Sequence, residues 1–311
     1  MKHKIDILRS TDGESICYYK WTENPDVPFK GVVQIVHGLG EHAGRYDNIA
    51  NQLQEEGYAV YANDHRAHGK TAELKRLFGY YDGSEYFDDC VEDMYALSKL
   101  MKTEYTNPKF ILFGHSMGSL LSRKYATKYG AELDALILSG TASFIKGLGN
   151  IGLVTATTVT TFRGRARPNG LLKSFFFGEF NKKFKPNRTK LDWISSDKEQ
   201  VDLFAEDPYR IEDFSLGVFL DVIKNSKKLN KPAAFAATPK DLPILIFSGD
   251  EDPVGEMGKG VTRVSKQYEK RGIRDLTFNL YEGGRHEMLN ETNREAVKQE
   301  IIVWLNSRMQ A

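Results

Sequence analysis

Short apolar runs rich in valine, isoleucine, leucine and aromatic residues recur along the chain, most of them separated by enough residues for a helix. Gly31-Val-Val-Gln-Ile-Val-His37, Tyr58-Ala-Val-Tyr-Ala-Asn63, Lys109-Phe-Ile-Leu-Phe113, Asp134-Ala-Leu-Ile-Leu-Ser139, Leu242-Pro-Ile-Leu-Ile-Phe-Ser248 and Leu276-Thr-Phe-Asn-Leu-Tyr281 have strand length and continuous apolar character, the pattern of strands covered on both faces. Near the N-terminus, the β-prone runs 5–8 and 15–21 flank Ser10-Thr-Asp-Gly13, turn chemistry that predicts a hairpin. Apolar residues return at helical spacing in 46–57, 86–105 and 119–129, and again in 260–272 and 293–309. Alternating strand and helix signals imply an α/β fold with a mostly parallel central sheet and helices on both faces.

Between residues 141 and 238 this alternation stops. The interval opens with Ile151-Gly-Leu-Val-Thr-Ala-Thr-Thr-Val-Thr-Thr-Phe162, continues through Arg163-Gly-Arg-Ala-Arg-Pro-Asn-Gly170 to Phe175-Phe-Phe177, and carries more basic than acidic side chains. Apolar patches without a sheet period read as a helical lid inserted after the sixth strand, over the end of the sheet. The expected division is a core of residues 1–140 and 239–311 with a lid (cap) of 141–238. Apolar lid residues such as Phe175 to Phe177 suit transient contact with a membrane surface or closure of a dimer.

Composition narrows the field. Of 311 residues, 41% are hydrophobic, enough for a sizeable core, and 43 Lys and Arg against 42 Asp and Glu leave a net charge of +1, which gives no electrostatic footprint for nucleic acid. Cys17 and Cys90 lie far apart without metal-ligand spacing and read as reduced thiols. The N-terminal stretch lacks the apolar run of a signal peptide, and no stretch is apolar for long enough to span a bilayer, so a cytoplasmic protein is expected.

Candidate chemistry centres on Gly114-His-Ser-Met-Gly118, which falls where a predicted strand ends and a predicted helix begins. A Gly-x-Ser-x-Gly turn there holds Ser116 at the top of a sheet in a strained conformation, as a nucleophile requires. A serine hydroxyl needs a base to take its proton and a third group to orient that base. Of the seven histidines only His286 lies beyond Ser116, in the glycine-bearing loop after the last strand. For the orienting acid, Ser248-Gly-Asp-Glu-Asp-Pro-Val-Gly255 follows the penultimate strand and offers Asp250, Glu251 and Asp252. Asp252 is favoured because it can return from the turn toward the sheet edge. The chain order Ser116, Asp252, His286 is that of α/β-hydrolase triads and of neither chymotrypsin nor subtilisin. The oxyanion of an acyl-transfer intermediate needs two amide donors: the N–H of Met117, the residue after the nucleophile, and one from the glycine-bearing loop Val36-His-Gly-Leu-Gly-Glu-His42, where Leu39 is the candidate. His37 and His42 have no further ligand at metal spacing, so no metal is expected. A carboxylate nucleophile of the dehalogenase or epoxide hydrolase kind would need an acid at position 116.

His37-Gly-Leu-Gly-Glu-His42 with Arg45-Tyr46, Asp64-His-Arg-Ala-His-Gly69, Gly114-His-Ser-Met-Gly118, Gly249-Asp-Glu-Asp252 and Gly284-Arg-His286 resemble the monoacylglycerol lipase and lysophospholipase L2-like family of α/β hydrolases, also grouped with serine aminopeptidases. The resemblance covers nearly the whole chain and is weaker in the lid, where Asp192-Trp-Ile-Ser-Ser and Asp207-Pro208 are also similar. It implies the α/β-hydrolase fold and a serine hydrolase that needs no cofactor and cleaves small lipid esters, most simply monoacylglycerols. Lysophospholipids, short-chain esters and an aminopeptidase activity are the alternatives, with a non-catalytic lipid-binding protein as a reading from another class. By the same resemblance Ser116, Asp252 and His286 form the triad, Leu39 and Met117 donate to the oxyanion, and Glu41 and Arg45 match positions near the alcohol end of the substrate; a salt bridge bracing the loop is their other reading. Ala67 stands where the family carries a glycine, which suggests that a β-carbon is tolerated there, and Tyr209-Arg-Ile-Glu212 departs from the family after Asp207-Pro208.

Overall fold

A computed structural model describes residues 3–144, 146–166 and 180–309. Eight strands, β1 (Lys4–Arg9), β2 (Ser15–Trp21), β3 (Gly31–Val36), β4 (Tyr58–Asn63), β5 (Phe110–His115), β6 (Ala135–Ser139), β7 (Ile244–Gly249) and β8 (Leu276–Tyr281), form one sheet in the order β1-β2-β4-β3-β5-β6-β7-β8. The β1–β2 hairpin is antiparallel and meets β4 antiparallel, and every other pairing is parallel. The expected mostly parallel sheet is therefore present.

Strand periodicity builds the two core layers. Val32 and Val36 face one side, with Leu112, Leu136 and Ile244, beneath α3 (Tyr86–Glu104), α4 (Met117–Tyr129) and α9 (Lys259–Lys270). Val33 and Ile35 face the other, with Phe113, Ile137 and Leu245, beneath α1 (Asp47–Glu55) and α10 (Arg294–Met309). Burial on both faces is why these strands read as continuous apolar runs. One short helix, α2 (Gly69–Lys75), lies between β4 and α3, where the apolar pattern marks no element.

The interval between β6 and β7 is a helical insertion containing α5 (Lys146–Arg163), α6 (Lys198–Ala205), α7 (Leu216–Leu229) and α8 (Pro232–Ala237). Helix α5 carries the whole apolar run 151–162 and packs Ala156 into a small cluster with Leu216, Leu220 and Ile223 of α7. Phe175 to Phe177 lie outside the described residues. Hydrogen bonds dock the insertion on the core: Ile211 N–H on Gly40 O at 3.0 Å, Ser215 N–H on Gly79 O at 2.8 Å, and Glu287 N–H on Ile194 O at 2.8 Å. No helix among the described residues is long and apolar enough to cross a membrane.

The sheet order places the site. From β3 the chain steps to β4 on one side, and β5 occupies the other, so the loops after β3 and β5 diverge and leave a crevice at the carboxyl ends of the strands. Register brings His115 opposite Ser139 and Val36 opposite Gly114, and the turns after β3, β5, β7 and β8 meet at that edge.

Candidate active site

Ser116 sits between β5 and α4 with φ 53° and ψ −120°, a conformation outside the regions that L-residues prefer. Its neighbours hold it there. The Ser116 N–H donates to Ser139 O at 2.9 Å. A β-carbon on Gly118 would lie 2.0 Å from Val36 O, and one on Gly114 would lie 2.4 Å from Gly118 O. Both glycines are therefore required by close backbone approach.

The Ser116 hydroxyl lies 2.9 Å from His286 Nε2, and His286 Nδ1 lies 3.0 Å from Asp252 Oδ2. Asp252 is 0% exposed and His286 3%. The carboxylate accepts further hydrogen bonds from Ser248 Oγ at 3.1 Å and Val254 N–H at 2.8 Å, which fix its plane. An imidazole donating from Nδ1 to Asp252 presents an unprotonated Nε2 to the serine hydroxyl, the tautomer a general base needs. Burial alone would lower the His286 pKa, but the charge and hydrogen bond of Asp252 outweigh it and raise the pKa above 6.5. Of the other carboxylates in that turn, Asp250 accepts from Gly283 N–H at 2.8 Å and Glu251 pairs with Lys183 at 3.2 Å.

Gly38 lies directly against Ser116, since a β-carbon there would meet Ser116 Cβ at 3.1 Å. This brings the 37–42 loop, with Leu39, alongside Ser116, while Met117 is the first residue of α4, at the positive end of its dipole. Three buried histidines fix the loop. His37 Nε2 accepts from His65 N–H at 3.0 Å, leaving Nδ1–H to donate to Gly38 O at 2.8 Å. His68 Nε2 accepts from Gly40 N–H at 3.2 Å, and its Nδ1–H donates to Arg66 O at 3.0 Å. These bonds require neutral rings. Burial pushes His65 down to about 3 and His68 down to about 4, and holds His37 well below 6.5. Because the folded values lie below the unfolded one, the unfolded chain binds protons that the folded chain refuses as pH drops below 6.5, and stability falls. At pH 5, His65 and His68 should each cost about 2 kcal/mol relative to pH 7. The melting temperature is expected to drop by about 5–10 °C between pH 7 and pH 5; a flat profile across that range would contradict neutral, buried rings.

Glu41 and Arg45 lie beside this loop in a buried network. Glu41 accepts from Gly38 N–H at 2.5 Å, Tyr46 Oη–H at 2.9 Å and Arg45 at 2.7 Å, and Arg45 also forms a two-pronged pair with Glu287 at 2.9 and 2.8 Å. The guanidinium stacks 4.1 Å from the Phe204 ring centroid. Burial would raise the Glu287 pKa, yet Arg45 pulls it down to about 2. All these bonds brace the loop. Ala67 takes φ 67°, so the β-carbon is accommodated in a left-handed conformation that favours glycine. Tyr209 packs its ring 5.2 Å from that of His42, and His42 Nε2 lies 2.9 Å from Asp207 Oδ2. Among the described residues no group of three or more His, Cys, Asp or Glu is placed to hold a metal, and Cys17 and Cys90 are buried free thiols.

Three neighbours of the site escape the sequence reading. Glu287 has no motif logic of its own, and His68 and Trp193 are touched only by the Asp64-His-Arg-Ala-His-Gly69 and Asp192-Trp-Ile-Ser-Ser similarities, which assign them no role. Trp193 places its ring centroid 5.2 Å from that of His286.

Residues 28–293 match the protein family described as serine aminopeptidase, S33. The chain is 28% identical over 302 residues to the monoacylglycerol lipase of Mycolicibacterium smegmatis, covering 96% of this chain and 95% of that protein. It is 25% identical over 309 residues to the monoglyceride lipase of Homo sapiens, covering 97% and 90%. Among solved structures, a thermostable carboxyl esterase from Bacillus coagulans in complex with glycerol superposes with a TM-score of 0.92 at 29% identity over 99% of both chains. A lipase in its open form gives 0.90 at 26% identity, covering 99% of this chain and all of that one.

Proposed function

The chain belongs to the serine aminopeptidase S33 family of α/β hydrolases, and from that premise we propose that it cleaves carboxylic esters of small lipids through an acyl-enzyme, with monoacylglycerols as first substrate. The observation that carries the reaction type is the continuous Ser116–His286–Asp252 hydrogen-bonded array. In this reading His286 Nε2 takes the Ser116 proton as Oγ attacks the ester carbonyl, and the amides of Leu39 and Met117 receive the oxyanion. The imidazolium then protonates the leaving alcohol; afterwards the neutral ring deprotonates a water that releases the fatty acid. Glu41 and Arg45 act by setting the loop that carries Leu39 rather than by touching the reacting atoms.

The choice of substrate rests on the monoacylglycerol lipases among the relatives. Residues 141–238 serve as the lid, and Ile151, Val154 and Phe162, exposed by 59, 66 and 84%, give α5 an apolar outer surface suited to transient contact with lipid. An aminopeptidase would need a free carboxylate for the substrate's α-amine. Glu41 and Glu287, beside the site, are both engaged by Arg45, so neither carboxylate is free to receive an amine. Rates measured side by side on monoacylglycerols, lysophosphatidylcholine, short p-nitrophenyl esters and an aminoacyl amide test the assignment. The monoacylglycerol is expected to lead in kcat/KM, and a preference for the amide would overturn the lipid reading.

A further inference from the structure

His286 is flanked on its own loop by Arg285 and Glu287, and each is tied to the same short stretch of the insertion. Arg285 donates through Nη1 to Asp192 O and, at 3.0 Å, to Ser195 O. Glu287 N–H donates to Ile194 O at 2.8 Å. Farther along the same loop, Ser195 Oγ–H donates to Asn290 O at 2.8 Å and Ser196 N–H to Glu291 at 2.9 Å. The residue at the centre of this clamp is Trp193. Its N–H is held by Asn181 Oδ1 at 2.9 Å, Phe180 supports its ring at 5.0 Å between centroids, and its own ring lies 5.2 Å from His286 at an interplanar angle of 38°. Backbone register on both strands of contact therefore sets the pairing of the two rings.

We infer that Trp193 is a positioning residue for the reaction proposed above, its indole face holding the His286 ring in its working orientation and stabilising the imidazolium formed in each transition state. The inference rests on that reading of the site. A cation within about 6 Å of an indole centroid is attracted by the ring quadrupole, most strongly where water is excluded. The other charged and titratable groups facing His286 come from four places. Asp252 lies after β7, Glu287 on its own loop, Glu41 with its partner Arg45 after β3, and His115 at the end of β5, its ring 4.8 Å away. Burial pushes His115 down to about 4, so it is neutral at working pH, while Arg45 pairs with both glutamates and leaves that trio with one net negative charge, which also favours the imidazolium. Of the groups that favour the charged ring, Asp252 is hydrogen-bonded to it and the indole lies against it.

The test compares the full chain with its Trp193→Leu, Trp193→Phe and Trp193→Met variants. The readouts are kcat and KM on a short p-nitrophenyl ester from pH 5 to 9 and the rate of Ser116 labelling by a fluorophosphonate. Labelling forms the Oγ–P bond, expels fluoride and passes the serine proton to His286, so it reports activation of the serine without depending on the natural substrate. Leucine is expected to lower kcat about tenfold with KM nearly unchanged, and to move the acid limb of kcat/KM down by about half a pH unit. Phenylalanine should recover most of both. Methionine, a flexible filler of the same space, should behave as leucine does and carries the test if the leucine variant does not fold. A leucine or methionine variant with the wild-type limb and kcat, or with a loss confined to KM, overturns the role of Trp193. A wild-type protein that hydrolyses no ester and ignores the phosphonate overturns the serine-hydrolase reading instead.

Discussion

Replacing Ser116 with alanine should lower ester turnover by about ten-thousand- to million-fold and abolish labelling by a fluorophosphonate, with the fold intact. The fold should survive because the side chain does no structural work. The Ser116 N–H bond to Ser139 O and the acceptance by Ser116 O from Ser119 N–H, both 2.9 Å, are backbone bonds that alanine keeps. What is lost is the only hydroxyl within reach of His286 Nε2 among the described residues. The backbone adds a second, independent readout. At φ 53° the position carries strain of about 1–3 kcal/mol, which alanine retains and glycine relieves. Ser116→Gly should be as inactive as the alanine variant yet melt at a higher temperature than either it or the wild type. Ester hydrolysis undiminished in Ser116→Ala would remove Ser116 as nucleophile. A glycine variant less stable than alanine would show that the unusual dihedrals are not strained.

How much of this was legible depends on where each signal originates. Strands β3 to β7 were readable because burial on both faces makes most positions apolar, and the same alternation that sends Val32 and Val33 to opposite layers is local to the strand. Helix α2 was not. It begins at Gly69, with φ 48°, and its first turn is held by the Asp64 carboxylate accepting from Lys70 N–H at 2.6 Å, so a residue that signals a turn opens a helix through a contact the sequence does not display. The insertion was readable as a break in pattern and not as particular helices. Amphipathic α7 spends its apolar face partly on α5, another part of the insertion, rather than on the sheet alone.

The candidate site divides the same way. Ser116, Asp252 and His286 each follow the end of a strand, so chain order and strand order together suffice to nominate them. Three acids were available in one turn, and only the fold distinguishes the one turned inward from Asp250, which serves Gly283, and Glu251, which serves Lys183. Trp193 belongs to a segment whose position relative to His286 is set wholly by docking of the insertion. Ala67 shows the converse limit. Alanine in a glycine position suggests that a β-carbon is tolerated, but not that it sits at φ 67°, with Ala67 O accepting from Gly79 N–H at 2.8 Å.

Asp252→Asn is the second large loss expected, about ten-thousand-fold in kcat. The change is nearly isosteric, so the reason must be electronic and directional. In the native arrangement all contacts to the carboxylate are donations toward it, from Val254 N–H, Ser248 Oγ–H and His286 Nδ1–H. An amide offers one oxygen and one NH2. If the oxygen keeps Val254, the buried NH2 faces His286 Nδ1 and can be satisfied only by a ring unprotonated there. The proton then sits on Nε2, and the imidazole can no longer accept from Ser116. Loss of the carboxylate charge also removes the chief influence raising the His286 pKa. The acid limb of kcat/KM should therefore move to lower pH even as the plateau collapses. The Asp250→Asn variant, whose side chain bonds Gly283 N–H at the loop edge, should stay within about threefold of wild type. If the two variants exchanged behaviours, with Asp250→Asn crippled and Asp252→Asn active, the orienting acid would have to be reassigned.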